Sequence, residues 1–431
     1  MRVSNRLLLA ASVATVAASL GASLPAFASG FALREMTADQ TAHAFAGGVS
    51  EADDPSTAYS NPAGMAHVDG VQMQFDVNGI FPSATFSGGN SLGGVTTSGS
   101  TGNVVQSAAT GGLAIVAPVT ERVNFGLAIA TPYGQRVSNP ADFVGKYQSL
   151  VSSITDVSVS LAASLKVTDK LSVGGGPVID VFEARLTQDI ATGYGDAFGD
   201  MHGTDTGIGF NLGAMYQFDD KTRVGLDYRS QITHSITGWQ SITPSAAIYA
   251  IPTLGSYIAG QIASGSSSAS TRVTLPDSFN IGITRDITPK LTLMAEAQWT
   301  DWSLLKTIVV NTGSATTSSS LNENWRDTYY VGVGADYKLT EKLTLKGGLG
   351  YDQSPVTFSN RTSRIPDGDR FIVGLGAGYA FTPAIRAEFG YAHLFVGSEG
   401  INNSSGPTVG TLVGKYNDTA DSFGLSLTLK L

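Results

Sequence analysis

Beyond residue 70, apolar and polar side chains alternate with a period of two along most of the chain. Val123, Phe125, Leu127 and Ile129 are interleaved with Asn124, Gly126 and Ala128, and Leu291, Leu293, Ala295, Ala297 and Trp299 with Thr292, Glu296 and Gln298. The last residues read Phe423, Leu425, Leu427, Leu429 and Leu431 against Ser422, Gly424, Ser426, Thr428 and Lys430. Such a period places each set on one face of a strand. Short polar turns punctuate the pattern at residues 119–122, 167–170, 218–221, 287–290, 339–342 and 381–384. Between consecutive turns lie two alternating segments and one longer polar loop. Fourteen segments begin near residues 71, 104, 122, 150, 170, 205, 221, 269, 289, 325, 341, 369, 384 and 415.

The polar face carries groups that lipid would not accept: Lys166, Asp180, Arg223, Asp227, Glu296, Asp336, Arg370, Arg386 and Glu388. The apolar face carries Tyr216, Phe218, Tyr337, Tyr379 and Phe381 beside the short turns and Trp299, Tyr351 and Tyr391 beside the loops. A polar interior, an apolar exterior and two aromatic girdles are the pattern of an outer-membrane barrel. The fold expected is all-β, a fourteen-stranded antiparallel transmembrane barrel with both ends on the short-turn, periplasmic side. A soluble β-sandwich explains neither the strand number nor the girdles.

Composition agrees. Charged residues are 14 % of the 431, against roughly 25 % in soluble proteins, yet apolar residues reach only 42 %. Mean hydropathy is +0.07, as expected when half of each strand faces lipid and half the lumen. The net charge of −9 gives nucleic-acid binding no support, and the absence of cysteine excludes disulfides and thiolate metal sites. Arg2 and Arg6, the apolar run Leu7–Leu20 and Ala26-Phe27-Ala28 form a secretory signal over residues 1–28, with cleavage expected after Ala28. The cell outer membrane is the expected destination, with its lipid, lipopolysaccharide included, and the barrel assembly machinery as partners and a monomer as the working state.

Residues 29–70 do not alternate. A short helix is expected within 37–45, and Phe31, Leu33, Met36 and Phe45 argue against a disordered tail. The economical place for this segment is the lumen, as a hatch, leaving 71–431 as the barrel.

Gly30-Phe31-x-Leu33-x-Glu35 and Asn61-Pro62-Ala63 resemble the hatch of the outer-membrane long-chain fatty acid transporters, the FadL-type family, which includes aromatic-hydrocarbon channels. Leu275-Pro276-Asp277, Trp299-Thr300-Asp301-Trp302-Ser303, Tyr351-Asp352-Gln353-Ser354-Pro355-Val356, Asn360-Arg361-Thr362 and Ile365-Pro366-Asp367-Gly368-Asp369-Arg370-Phe371 are similar to family motifs in the same order. Leu431 departs from the family's aromatic last residue. The resemblance implies capture of a hydrophobic ligand by outer loops, transfer to a lumen pocket gated by the hatch, and lateral exit at a kinked third strand. Here that strand meets Thr131-Pro132-Tyr133-Gly134, and Pro132 either interrupts it or ends it. Asn61, with Pro62 and Ala63, is implied to pin the hatch near that gap.

The loop 237–270 holds Trp239, Ile248, Tyr249, Ile251, Leu254, Tyr257 and Ile258, with an amphipathic helix expected after Pro252. So much apolar surface outside the barrel suits either a collecting groove or packing between loops. On the lumen face, Ile80, Val178, Phe182, Met215, Met294, Tyr330, Ile372 and Leu394 are apolar where a water-filled porin would be polar. With Phe31 and Leu33, the last seven of these form the candidate ligand-binding set, and packing against the hatch is the alternative for each. Arg370 and Arg361 are candidates for a ligand's carboxylate, although Arg370 is also positioned to pair with Asp367 or Asp369. The five histidines suggest neither catalysis nor a metal site: His43 and His67 belong to the hatch region, His202 to a loop, and His234 and His393 have lipid-face parity. No catalytic residue, metal or cofactor is expected. A general diffusion porin is the rival function, and an outer-membrane enzyme a weaker one.

Overall fold

In a computed structural model of the protein, residues 30–313 and 318–431 are described. The expected signal segment 1–28 and its expected cleavage site lie outside these residues. The first strand, Gln72–Leu92, pairs with the last, Thr411–Lys430, from Gln72 opposite Lys430 to Ser91 opposite Thr411, and this closes a fourteen-stranded antiparallel barrel. The second strand is Val95–Asn103 with Ala108–Pro118, the third Val123–Ala130 with Gly134–Ser138, the fourth Val151–Lys166 and the fifth Leu171–Ala191. The sixth is Asp196–Asp219, the seventh Thr222–Arg229 with Ile232–Pro244, and the eighth Ser264–Leu275 with Ser278–Thr288. The ninth is Leu291–Thr300 with Thr307–Thr312, and the tenth Ser318–Asn322 with Thr328–Lys338. Leu343–Asp352, Arg370–Thr382 and Ile385–Ser404 complete the wall. Closure pairs every wall strand on both sides, which a lipid environment demands of backbone N–H and C=O groups. Among the described residues no helix is long and apolar enough to cross a membrane.

All six expected turns are present, and hydrogen bonding explains their recurring threonine. Thr120 Oγ1 accepts from the N–H groups of Arg122 and Val123, and Thr168, Thr288 and Thr340 repeat this with the residues two and three ahead. Asp219 does the same for Lys221. A short side chain thus replaces the ladder bonds that the turn interrupts.

The face assignment holds through most of the wall. Asp180, Asp227, Asp336, Arg370 and Glu388 are buried inside, as are Ile80, Val178, Phe182, Met215, Met294, Tyr330, Ile372 and Leu394. The girdle residues Tyr216, Phe218, Tyr337, Tyr379 and Phe381 are exposed outward. His234 is the exception: it is fully buried in the lumen rather than turned to lipid. The seventh strand pairs Arg229 with Asn211 but Thr237 with Thr204, a shift of one residue across Ser230-Gln231. That bulge reverses the parity above it, so Ile232, His234 and Ile236 point inward. His202 lies on the sixth strand rather than in a loop.

Residues 30–71 fill the lumen. Thr37 caps the helix Ala38–Ala42 by accepting from the Gln40 N–H at 3.0 Å. The short helix Thr57–Ser60 and the 3-10 turn Pro62–His67 follow. The hatch sits directly on glycines of the wall. A methyl group on Gly348 would lie 2.1 Å from the His43 carbonyl oxygen, and one on Gly390 2.0 Å from that of Ala38. No larger residue fits there without moving the backbone.

Candidate ligand route and hatch

Polar bonds hold the hatch to strands all around the barrel. Arg34 makes a two-pronged contact with Asp352, both bonds 3.0 Å, and lies 4.2 Å over the Tyr330 ring. His43 Nε2 lies 2.6 Å from Asp336. Lys346 is surrounded by Asp39, Asp336 and Glu388, the last two at 3.3 and 3.2 Å. Arg386 pairs with Asp53 at 2.9 Å. Burial pulls the His43 imidazole down, but the charge of Asp39 and bonds to Asp336 and Asp39 outweigh it and hold His43 well above its usual range. Burial, reinforced by the charge of Asp53, pushes the Asp54 carboxyl up to about 7. Breaking a buried pair from one side typically costs 3–5 kcal/mol, because the remaining charge is left unpaired. Lys346→Met removes the cation that Asp39, Asp336 and Glu388 share. Its expected effect is a lower thermal midpoint in detergent and new protease cleavage between residues 36 and 56; unchanged stability and resistance would contradict it.

Next to the start of the hatch lies a packed apolar cluster, the candidate ligand chamber. Phe31, Tyr133, Val178, Phe182, Ile232, Ile236, Leu275, Trp302 and Trp325 form its main cluster. Phe31 is ringed by Tyr133, Trp302 and Trp325, with centroids 5.8, 5.1 and 5.6 Å away. Of the candidate ligand set, Phe31, Val178 and Phe182 meet here. The others lie elsewhere. Tyr330, Ile372 and Leu394 pack around hatch residues Ala44 and Phe45, and the Tyr330 hydroxyl donates to the Ala44 carbonyl at 2.7 Å. Met215 packs on Ala52 and Ala63, Met294 against Gly47, and Leu33 against Ile80 and Ala108. Arg370 bonds to Asp367 and Arg361 to Glu399, so neither cation is free to meet a carboxylate. Tyr133, Trp302 and Trp325 were not among the sequence candidates, since each sits where a strand breaks and no alternation marks it.

Pro132 interrupts the third strand rather than ending it. The second and third strands pair from Leu113 opposite Ile129 to Pro118 opposite Asn124. They meet again only at Val105 opposite Val137, in the same register. Between these points the two edges separate. The third strand also gains a residue on the fourth, where Ala130 faces Ser158 but Gly134 faces Thr155. Proline has no N–H to give, and the bulge turns the chain inward. The hatch takes up the freed groups: Leu33 N–H donates to the Pro132 carbonyl at 2.7 Å, and Gly134 N–H to that of Phe31 at 2.8 Å. Thr110, Gly112, Ala130 and Thr131 line the resulting cleft, whose inner side is Glu35, Met36, Gln40 and Tyr59. A cavity of about 140 Å³ lies just inside, bounded by Leu33, Phe45, Pro132, Tyr133, Arg229 and Trp302.

Asn61 does not lie at this gap. Its amide donates to the Val49 carbonyl at 2.7 Å and its oxygen accepts from the Ala63 N–H at 3.1 Å, against Gly213 of the sixth strand. Asn61-Pro62-Ala63 therefore braces the hatch internally and on the wall beyond the gap.

In the outer loop, helices span Ala246–Tyr249 and Gly255–Ile262. Tyr249, Leu254 and Tyr257 are exposed and Ile251 and Ile258 half-buried, whereas Ile248 is buried against Gly195. Trp239 lies on the outer face of the seventh strand, its ring 6.0 Å from that of His202.

A closed barrel whose lumen is plugged by its own N-terminal segment defines a class of outer-membrane transport proteins. The family model described as outer membrane protein transport protein (OMPP1/FadL/TodX) matches residues 19–430, and the chain belongs to that family. It is 24 % identical to the long-chain fatty acid transport protein of Escherichia coli K12, over 93 % of this chain and 95 % of that one. Outer membrane protein P1 of Haemophilus influenzae is 28 % identical, over 85 % and 86 %. Among solved structures, a Pseudomonas aeruginosa FadL homologue superposes with a TM-score of 0.85 at 25 % identity, covering 93 % of this chain and 99 % of that one. The Ralstonia pickettii toluene transporter TbuX superposes at 0.67 with 18 % identity, over 92 % and 98 %, which bears on the fold alone. The protein is thus an outer-membrane β-barrel of a transport family.

Proposed function

We propose that this protein carries hydrophobic compounds, long-chain fatty acids foremost, across the outer membrane by lateral exit through its wall. The observation that carries the reading is continuity: Phe31 and Ala32 pack into the apolar cluster, Ala32 and Leu33 line the inner cavity, and Met36, Gln40 and Tyr59 line both that cavity and the wall cleft. Tyr249, Leu254 and Tyr257 offer a first contact outside. The chamber then strips the ligand of water, at about 0.8 kcal/mol for each CH₂ buried. Phe31 occupies the chamber itself, so a bound chain must displace it. That movement pulls on Leu33 and its bond to Pro132, which couples loading to opening of the cleft. Arg361 and Arg370 are already paired, so neither binds a fatty acid's carboxylate without giving up its partner.

Native mass spectrometry of gently extracted protein tests this. A co-purified or added C16 fatty acid is expected to bind one per barrel. Phe182→Asp, which puts a charge into the chamber, is expected to weaken binding at least tenfold, corresponding to about 1.4 kcal/mol or more. Equal binding by Phe182→Asp, or no binding by the intact protein, would count against the reading.

A further inference from the structure

The deliberate placement of polar groups beside the chamber points to a second kind of ligand. Asp156 on the fourth strand, Asp180 on the fifth and His234 on the seventh converge inside the barrel, their donor atoms all within 4.8 Å of one another. All three are buried. Neither carboxylate oxygen of Asp156 meets a hydrogen-bond donor, nor does Oδ1 of Asp180. His234 is held by its other nitrogen: Nδ1 lies 3.2 Å from Asp205 Oδ2, and the Ser235 N–H donates to the same oxygen at 3.0 Å. Nε2 is left without a partner. The Phe182 ring stacks on the imidazole at 5.0 Å and fixes its plane.

These are the elements of a metal centre. A carboxylate accepting from Nδ1–H sets the tautomer and turns the Nε2 lone pair toward the ligand position, the arrangement seen behind metal-binding histidines. Ligands bound at about 2.0–2.2 Å in tetrahedral geometry lie roughly 3.4 Å apart, within reach of this cluster. Two buried carboxylates this close are stabilised by a cation between them, the alternative being to hold a proton. Arg229 of the seventh strand is already committed to the Tyr59 carbonyl at 3.0 Å and to its ring at 4.0 Å. Among the described residues the other such cluster, Asp39, His43 and Glu51, is different in kind, because Lys346 and Asp336 already complete it.

We infer that Asp156, Asp180 and His234 bind a divalent ion of the zinc class. An imidazole with two carboxylates suits Zn²⁺ and its transition-metal neighbours better than Mg²⁺ or Ca²⁺, which prefer oxygen alone. Three protein ligands leave the fourth position of a tetrahedral ion to water or another small ligand. The site also joins three wall strands next to the kink, since the Asp156 N–H donates to the Tyr133 carbonyl at 3.1 Å.

The test uses the full mature protein in detergent, stripped with a chelator and titrated with Zn²⁺ alone against a chromophoric competitor. About one tight zinc per chain is expected, not displaced by millimolar Mg²⁺ or Ca²⁺. Asp156→Asn and His234→Gln should each abolish it, and Asp205→Asn should weaken it by about 10–100-fold, as loss of an orienting carboxylate does. His202→Gln, at a surface histidine, should leave it intact. Migration on unheated gels monitors barrel folding. If the variants fail to fold, X-ray absorption of the zinc-loaded wild type must show one imidazole among oxygen ligands. No tight zinc site in the folded wild type, a zinc shell without imidazole, or undiminished binding in folded Asp156→Asn and His234→Gln would overturn the inference.

Discussion

Deletion of residues 30–70 opens the barrel. In planar bilayers the intact protein is expected to conduct poorly, and the deleted form to pass current continuously and to admit small polar solutes into vesicles. The cause is geometric. The hatch occupies the lumen down to contact with wall glycines, and the wall itself closes without it through the pairing of the first and last strands. The deleted barrel keeps every wall-to-wall hydrogen bond, so it is expected to fold, although Asp336, Lys346, Asp352 and Arg386 lose their hatch partners and regain water. If polar solutes pass the intact protein as fast as the deleted one, the hatch is no barrier and the protein behaves as a general porin.

Closing the cleft between the second and third strands stops uptake without touching the chamber. The chain contains no cysteine, so Gly112→Cys with Ala130→Cys gives one defined pair across the cleft. Bridging the pair with a short thiol crosslinker is expected to lower uptake of a labelled fatty acid by more than about tenfold, while binding measured by native mass spectrometry is retained. Each single variant, treated alike, is expected to transport normally. The argument rests on the register: Leu113–Pro118 and Val105 share one pairing frame with the third strand, and only the stretch around Pro132 departs from it. A crosslink there restores a continuous wall. Undiminished uptake after complete crosslinking would mean that ligand leaves by the periplasmic end, past the hatch.

The two experiments separate binding, gating and exit. Loss of the hatch acts on everything that crosses the lumen. The crosslink acts only on what leaves sideways, and Phe182→Asp only on what enters the chamber.

The amino-acid sequence by itself determined the barrel. Alternation is a local property: Phe423 to Leu431 declare two faces without reference to any other strand, and the Thr-containing turns mark where each hairpin reverses. Burial of Val178, Phe182, Met215 and Met294 followed from parity alone. The hatch was legible too, because a segment rich in large apolar residues that does not alternate has no place in the wall. What parity cannot carry is a break in period. One extra residue at Ser230-Gln231 turns His234 from lipid to lumen, and nothing in the neighbouring residues announces it. The interruption at Pro132 had the same ambiguity, and only its two partner strands resolved it into a gap. Convergence was decided by the tertiary structure as well. Phe31, Tyr133, Phe182, Trp302 and Trp325 are scattered over nearly three hundred residues, and Asp156, Asp180 and His234 over nearly eighty. Strand pairing and barrel curvature bring them together, and these are set by the closure of the whole sheet rather than by any segment within it.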